Sequence, residues 1–162
     1  MDATARLRTS ALAAWSRAVR VSHDFDIDTY YAPVTETLMW MAALIDALDR
    51  KRDPTFRGLV YARNCAVHGY AIVAEVREEA PWEARRTKGG PRVGGGSARV
   101  RAWAFTEDPD PHDSSEGTRD RYKAQREDYN EHVAHFEVFH LLSWALHDLG
   151  VDVDSIDLFS QD

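Results

Sequence analysis

Hydrophobic residues recur along this chain with helical spacing in four stretches. Leu7, Ala11, Trp15 and Val19 repeat every four residues and predict a helix over about 3–21. The segment from Ser22 to Thr29 is polar and rich in Asp, and reads as a connector. Val34, Leu38, Met41, Ile45 and Leu48 then repeat at spacings of four, three, four and three. That is an amphipathic stripe, with Pro33 placed in its first turn. Arg50, Lys51 and Arg52 follow, and cations suit the negative end of a helix dipole. Asp53-Pro54 joins an N-cap residue to a proline at the first helical position. It predicts a third helix from about 55 to 78, weakened at Gly69 by roughly 1 kcal/mol relative to alanine. Tyr122, Tyr129, Val133, Phe136, Leu142, Ala145 and Leu149 predict one long last helix over about 118–149, with Gly150 suited to its C-terminal cap.

The segment between the last two helices has a different character. Pro81, Gly89, Gly90, Pro91, Gly94, Gly95 and Gly96 interrupt regular structure, and Pro109, Pro111 and Gly117 do so again. From Arg99 to Phe105 the apolar residues alternate in part, which suits a short strand. Gly89 to Gly96 has the two-glycine outline of a phosphate loop. Gly95 and Gly96 stand where lysine and Ser/Thr are required, so a nucleotide loop is excluded. The fold class expected is all-α: a four- to five-helix bundle forming a single domain over 1–162. Residues 79–117 form its long Gly/Pro/Arg-rich loop or insertion, and 150–162 an acidic tail.

With 162 residues and 44% hydrophobic content the chain can bury a sizeable core. No run of about 18 apolar residues exists, so no membrane partner is expected. Residues 1–20 lack the apolar block and cleavage site of a secretory leader. Cys65 is the single cysteine, which excludes an intrachain disulfide, and a cytoplasmic location is expected. The net charge of −7 argues against a protein that coats nucleic acid generally. The charge is unevenly spread, however. Residues 81–101 hold Arg85, Arg86, Lys88, Arg92, Arg99 and Arg101 against Glu83 alone, while 102–162 hold four basic and 15 acidic groups. This local cationic segment can meet phosphate, with Arg85, Arg86, Lys88 and Arg92 as the substrate-binding candidates, or can be a solvated loop.

The chemistry concentrates in Arg63-Asn64-Cys65-Ala66-Val67-His68-Gly69-Tyr70. Arginine is a permanent cation shaped to grip phosphate. Histidine exchanges protons near neutral pH. Tyrosine both donates and accepts hydrogen bonds. In an ideal helix Asn64 and His68 share one face and Arg63 and Tyr70 another, with Arg63 and His68 about 140° apart. Two copies meeting across a two-fold axis would bring the pieces together. The same residues also read as a surface cation, a half-buried histidine and a core aromatic.

The segment resembles the HEPN family, whose signature is Arg, a polar residue, three positions, then His, extended in toxins paired with minimal nucleotidyltransferases by one position and a Tyr. The match covers about eight residues, in a helical layout that agrees more loosely. The Gly/Arg-rich insertion and the acidic C-terminal part depart from the toxin branch. The resemblance implies a metal-independent endoribonuclease without cofactor, acting on RNA as a homodimer. Arg63, His68, Asn64 and Tyr70 would be its catalytic residues. It also suggests a toxin–antitoxin or defence role, with an antitoxin or nucleotidyltransferase as further partner and Tyr70 as a site of adenylation.

Other constellations are weaker. His132 and His135, with Asp128 and Glu131, outline a metal-binding face, and His140 lies about 80° away from His132. Cys65 and His68 form a thiol–imidazole spacing without an orienting group, and Cys65 suits a buried apolar position better. His23, Asp24, Asp26 and Asp28 suit a solvated loop. Asp152, Asp154 and Asp157 lack the glycine and glutamate of a calcium loop. Trp82 and Trp103 flank the cationic segment, either stacking bases or anchoring it to the bundle. Three function classes follow: a ribonuclease, a non-catalytic HEPN-like dimeric binding or scaffold module, and a helical metalloprotein.

Overall fold

A computed structural model describes residues 2–67, 73–79, 98–103 and 116–156. Five helices dominate them: α1 (Ala3–Arg20), α2 (Ile27–Ala47), α3 (Pro54–Val67), α4 (Glu116–His132) and α5 (Val138–Asp148). Two strands, β1 (Val73–Glu79) and β2 (Ala98–Trp103), pair antiparallel, and a 3-10 turn (Val153–Ser155) follows α5. The protein is thus mostly helical, with a two-stranded ribbon added. No helix among the described residues is long and apolar enough to cross a membrane.

Helix starts follow the local chemistry. The Asp2 carboxylate accepts from Ala5 N at 3.0 Å and caps α1. Asp26 accepts from Asp28 N at 3.1 Å and starts α2 earlier than the apolar stripe indicates. Pro33 therefore stands in the second turn of α2, not the first. There its missing N–H removes an intrahelical bond. Asp53 accepts from Thr55 N at 2.9 Å and caps α3, as the Asp-Pro pair predicts.

Two helices end alike. After α2, Asp49 adopts the left-handed conformation at φ 52, Asp49 N bonds Asp46 O and Arg50 N bonds Ile45 O. After α5, Gly150 does so at φ 76, with Gly150 N on His147 O and Val151 N on Leu146 O. Both sets of bonds satisfy carbonyls that a helix end leaves open.

α1 buries Ala11, Ala14, Trp15 and Ala18 against α2. α2 contributes Val34, Leu38, Met41 and Ile45 of the predicted stripe to the core, while Leu48 stands at the C-cap and is partly buried. α3 packs between α2 and α4. At Gly58 the approach is closest, since a Cβ there would stand 2.8 Å from Val133 Cγ2 and 2.9 Å from Tyr129 Cα. α5 closes the core through Phe139, tilted against Trp15 and edge-on to Tyr30, and through Trp144 stacked on Phe56. Ion pairs tie neighbouring helices together: Arg17 with Glu36, Arg50 with Asp148 at 2.6 Å and Arg57 with Asp128 at 2.6 Å.

Two expected helices are corrected. The third helix is described from Pro54 to Val67, and it does not run on to 78, because 73–79 is strand. Val73 and Val76 are β-branched, and 98–103 offers a pairing partner, from Val73 opposite Trp103 to Glu79 opposite Ala98. The expected long last helix is two helices broken at 133–137. Glu137 caps α5 by accepting from His140 N at 2.7 Å, and its backbone bridges Ala102 of β2. The break buries Val133, Ala134, Val138 and Phe139, and it leaves Phe136 half exposed rather than in the core.

The ribbon is seated on the helices by Trp103 and Arg101. Trp103 is fully buried and meets Tyr129 edge-on, so it anchors the segment and is closed to base stacking. Arg101 lies with its guanidinium between the rings of Phe25 and Phe139, at 4.7 and 4.5 Å. It donates to the carbonyls of Ser22 and Asp24 and pairs with Glu137 at 3.4 Å.

Candidate functional site

Half of the positions of α3 are buried. Phe56, Gly58, Leu59, Tyr61, Ala62, Cys65 and Ala66 are buried. Beyond Pro54, Thr55 and Arg57 of the first turn, the remaining positions are Val60, Arg63, Asn64 and Val67, spaced three, one and three residues apart, so they line one face. The first three are half-buried and Val67 is 52% exposed. Arg63 and Asn64 therefore share the open strip of α3. His68 and Tyr70 lie outside the described residues, as do Arg85, Arg86, Lys88 and Arg92.

Arg63 differs from several other half-buried arginines of the fold. Arg50, Arg57 and Arg101 each face a carboxylate, and Arg8 donates to Leu149 O at 3.1 Å. Arg63 Nε is buried and has no hydrogen-bond partner among the described residues. A desolvated guanidinium N–H without an acceptor is unfavourable, and an anionic oxygen relieves it. The strip thus offers a cationic donor beside an amide side chain.

Behind the strip, Cys65, Tyr61 and Tyr122 form a thiol–phenol cluster. Cys65 Sγ lies 3.7 Å from Tyr122 Oη, and the Tyr61 and Tyr122 rings are 5.0 Å apart. Burial pushes the Cys65 thiol up from its ordinary range. Burial, and then hydrogen bonds with Tyr61 and Cys65, push the Tyr122 phenol up further still. A thiol held neutral in this way is a poor nucleophile. On the other side, Tyr31 of α2 donates to Ala66 O at 3.4 Å.

Arg101 belongs to the cationic segment that charge counting offers to phosphate, but its side chain is only 12% exposed and its donors serve the fold. Asp128, a possible oxygen ligand beside the histidines, is instead paired with Arg57 and holds that guanidinium's pKa up. His132 lies at the end of α4, 3.9 Å from Glu131, and His135 is exposed in the break that follows. Among the described residues no group of three or more His, Cys, Asp or Glu could hold a metal ion. Sequence reasoning passed over Tyr31 and the partnership of Tyr122 with Cys65. Tyr122 stood on a predicted apolar stripe, but no spacing rule links 31 or 122 to position 65.

Comparison of the chain with protein-family models, with curated proteins and with solved structures returns no match.

Proposed function

We propose that this protein is a metal-independent endoribonuclease of HEPN type, working as a homodimer with the α3 strips of two copies facing one cleft. The observation that carries the reading is Arg63. It stands on the open strip of α3 with its Nε buried and unpartnered among the described residues, at the first position of an Arg-polar-x3-His pattern. The RNA 2′-hydroxyl would attack phosphorus and the 5′-oxygen would leave, giving a 2′,3′-cyclic phosphate. His68 removes the proton from the 2′-hydroxyl or delivers one to the 5′-oxygen. Arg63 stabilises the charge on the phosphorane. Asn64 orients His68 or a phosphate oxygen, and Tyr70 donates to phosphate or stacks on a base. Arg85, Arg86, Lys88 and Arg92 supply the attractive field in an otherwise acidic chain. A toxin or defence role, with an antitoxin or nucleotidyltransferase as partner, accords with the resemblance.

The test is cleavage of a mixed RNA pool in EDTA by wild type, Arg63→Ala and His68→Ala. Cleavage by wild type alone, leaving 2′,3′-cyclic ends, supports the reading. Equal cleavage by all three sinks it. Val60 and Val67 favour a second reading, because apolar neighbours flank Arg63 and Asn64 on the strip. A non-catalytic dimeric binding module would use that strip as a protein contact, and would give a stable dimer in light scattering with no cleavage by any variant.

A further inference from the structure

α5 turns one face outward. His140, Trp144, His147 and Asp148 are exposed, while Val138, Phe139, Leu141, Leu142, Ala145 and Leu146 are buried. At 100° per residue the four exposed positions fall within one sector of about 100°. Trp144 is the apolar member, and it is 48% exposed. One side of its indole lies on Phe56, with centroids 6.3 Å apart and 19° between the planes, so the outer side is what the fold leaves open. Arg50 lies over the Phe56 ring at 4.8 Å and pairs with Asp148 at 2.6 Å, so the indole is backed by a fixed stack. An aromatic held in this way loses little conformational freedom on contact, which is why tryptophan serves as an interface anchor. Phe56 stands on the α3 stripe that continues through Val60 and Arg63, so the α5 face borders that strip.

The face is complementary to itself. Trp144 stands near the middle of α5, with His140 four residues before it and Asp148 four residues after it. When two α5 helices pair antiparallel about a two-fold axis at Trp144, the residue four before meets the residue four after. The indoles then meet at the axis, and His140 of each copy faces Asp148 of the other. An imidazole N–H donates and a carboxylate accepts. Arg50 bonds Asp148 Oδ2, and the carboxylate has a second oxygen for the other copy. We propose that the outer face of α5 joins two copies of this chain, with Trp144 at the two-fold axis and His140 and Asp148 paired across it. The proposal rests on the homodimer of the ribonuclease reading and names its surface, but it does not depend on cleavage.

The experiment is sedimentation equilibrium of the full chain without RNA, for wild type, His140→Asp, Asp148→His and the double exchange, with the fold of each checked by circular dichroism and Tm. His140→Asp sets carboxylates against each other, and an acidic residue suits the first turn of a helix, so the fold is kept. Asp148→His sets imidazoles against each other. Each single variant should raise the dimer Kd about ten-fold or more, because the mismatch occurs twice. The double exchange restores both pairs and should return Kd to within about three-fold of wild type. A mixture of the two single variants should form the heterodimer, since Asp then faces His at both ends. A wild type that is monomeric at every concentration overturns the proposal. So does a dimer whose Kd none of the variants moves, because another surface then joins the copies, and so does a double exchange that restores nothing. If the wild type is monomeric and an RNA oligonucleotide quenches fluorescence in wild type but not in Trp144→Phe, the face is a base-stacking platform and the proposal fails. A dimer that responds as expected but cleaves no RNA upholds the interface and sinks the ribonuclease reading alone.

Discussion

Replacing Gly58 with alanine should loosen the crossing of α3 and α4. The added methyl would stand 2.8 Å from Val133 Cγ2, 2.9 Å from Tyr129 Cα and 3.0 Å from Tyr129 N. Non-bonded carbons settle at about 3.5–4.0 Å, so the deficit is on the order of 0.7 Å or more. The Val133 methyl can rotate away. The backbone of Tyr129 cannot, so α4 itself must shift. Tyr129 is fully buried and its ring meets those of Tyr61 and Trp103, so the shift spreads to the ribbon's anchor. Overpacking of this kind costs about 1–3 kcal/mol. The helix propensity gained by losing a glycine returns up to about 1 kcal/mol. The net expectation is a loss of about 1–2 kcal/mol, or roughly 2–8 °C in Tm for a chain of this size.

Gly117 supplies the internal control. It lies in the first turn of α4, and a Cβ there meets nothing within 4 Å. Gly117→Ala should be neutral or raise stability by about 0.5 kcal/mol. Thermal and urea unfolding followed by circular dichroism would measure both variants against wild type. A Gly58→Ala protein as stable as wild type, beside a normal Gly117→Ala protein, would refute the close crossing and with it the placement of α4 over α3.

Arg101→Met keeps a long apolar stem between Phe25 and Phe139 but strands the Ser22 and Asp24 carbonyls and the Glu137 carboxylate. Removing one partner of a buried pair costs about 3 kcal/mol, or roughly 6–12 °C in Tm. Glu137→Gln in the same chain should recover part of it, and a loss under about 1 kcal/mol by urea unfolding would contradict the assigned role. Stability should also fall at alkaline pH. Cys65, Tyr30 and Tyr122 are all raised above their ordinary values of 9.0, 10.0 and 10.0, each chiefly by burial. Well below pH 9 all three are neutral in both states, and their contribution is complete. Above it the unfolded chain releases protons that the folded chain retains, so stability drops by up to about 1.4 kcal/mol per pH unit per group. Tyr122→Phe should flatten the curve above pH 10 by calorimetry, and an unchanged slope would show that Tyr122 does not contribute.

The helical class was legible because burial imposes period. The stripe Val34, Leu38, Met41 and Ile45 is core, and the Asp53-Pro54 start and the Gly150 stop stand where capping chemistry places them. The breaks were not legible, because each depends on a partner distant in sequence. β1 pairs with a strand beginning about 20 residues later, and Glu137 ends the run of α4 by serving α5, Ala102 and Arg101 together. Period alone cannot tell a continuous helix from two that share a stripe.

The same limit governs the candidate site. Arg63 and Asn64 were identifiable from residue type and spacing, but their common strip on α3 exists because the flanking helices cover the other positions. An ideal helical wheel sets Arg63 and Asn64 about 100° apart and places both on one face with Val60 and Val67, but it does not say which face the fold covers. Packing against α2 and α4 buries Phe56, Leu59, Tyr61, Ala62, Cys65 and Ala66 and so leaves the face of Val60, Arg63, Asn64 and Val67 the less covered one. Arg101 is the converse case. Its sequence neighbours are cationic, and charge counting assigns it to a ligand. The two rings and two carbonyls that receive it come from the α1–α2 connector and from α5, more than 30 residues away on either side. A cation's role here is therefore set by whether the fold supplies its acceptors. Arg101 has them and holds the ribbon in place. Arg63 Nε is buried with no acceptor among the described residues.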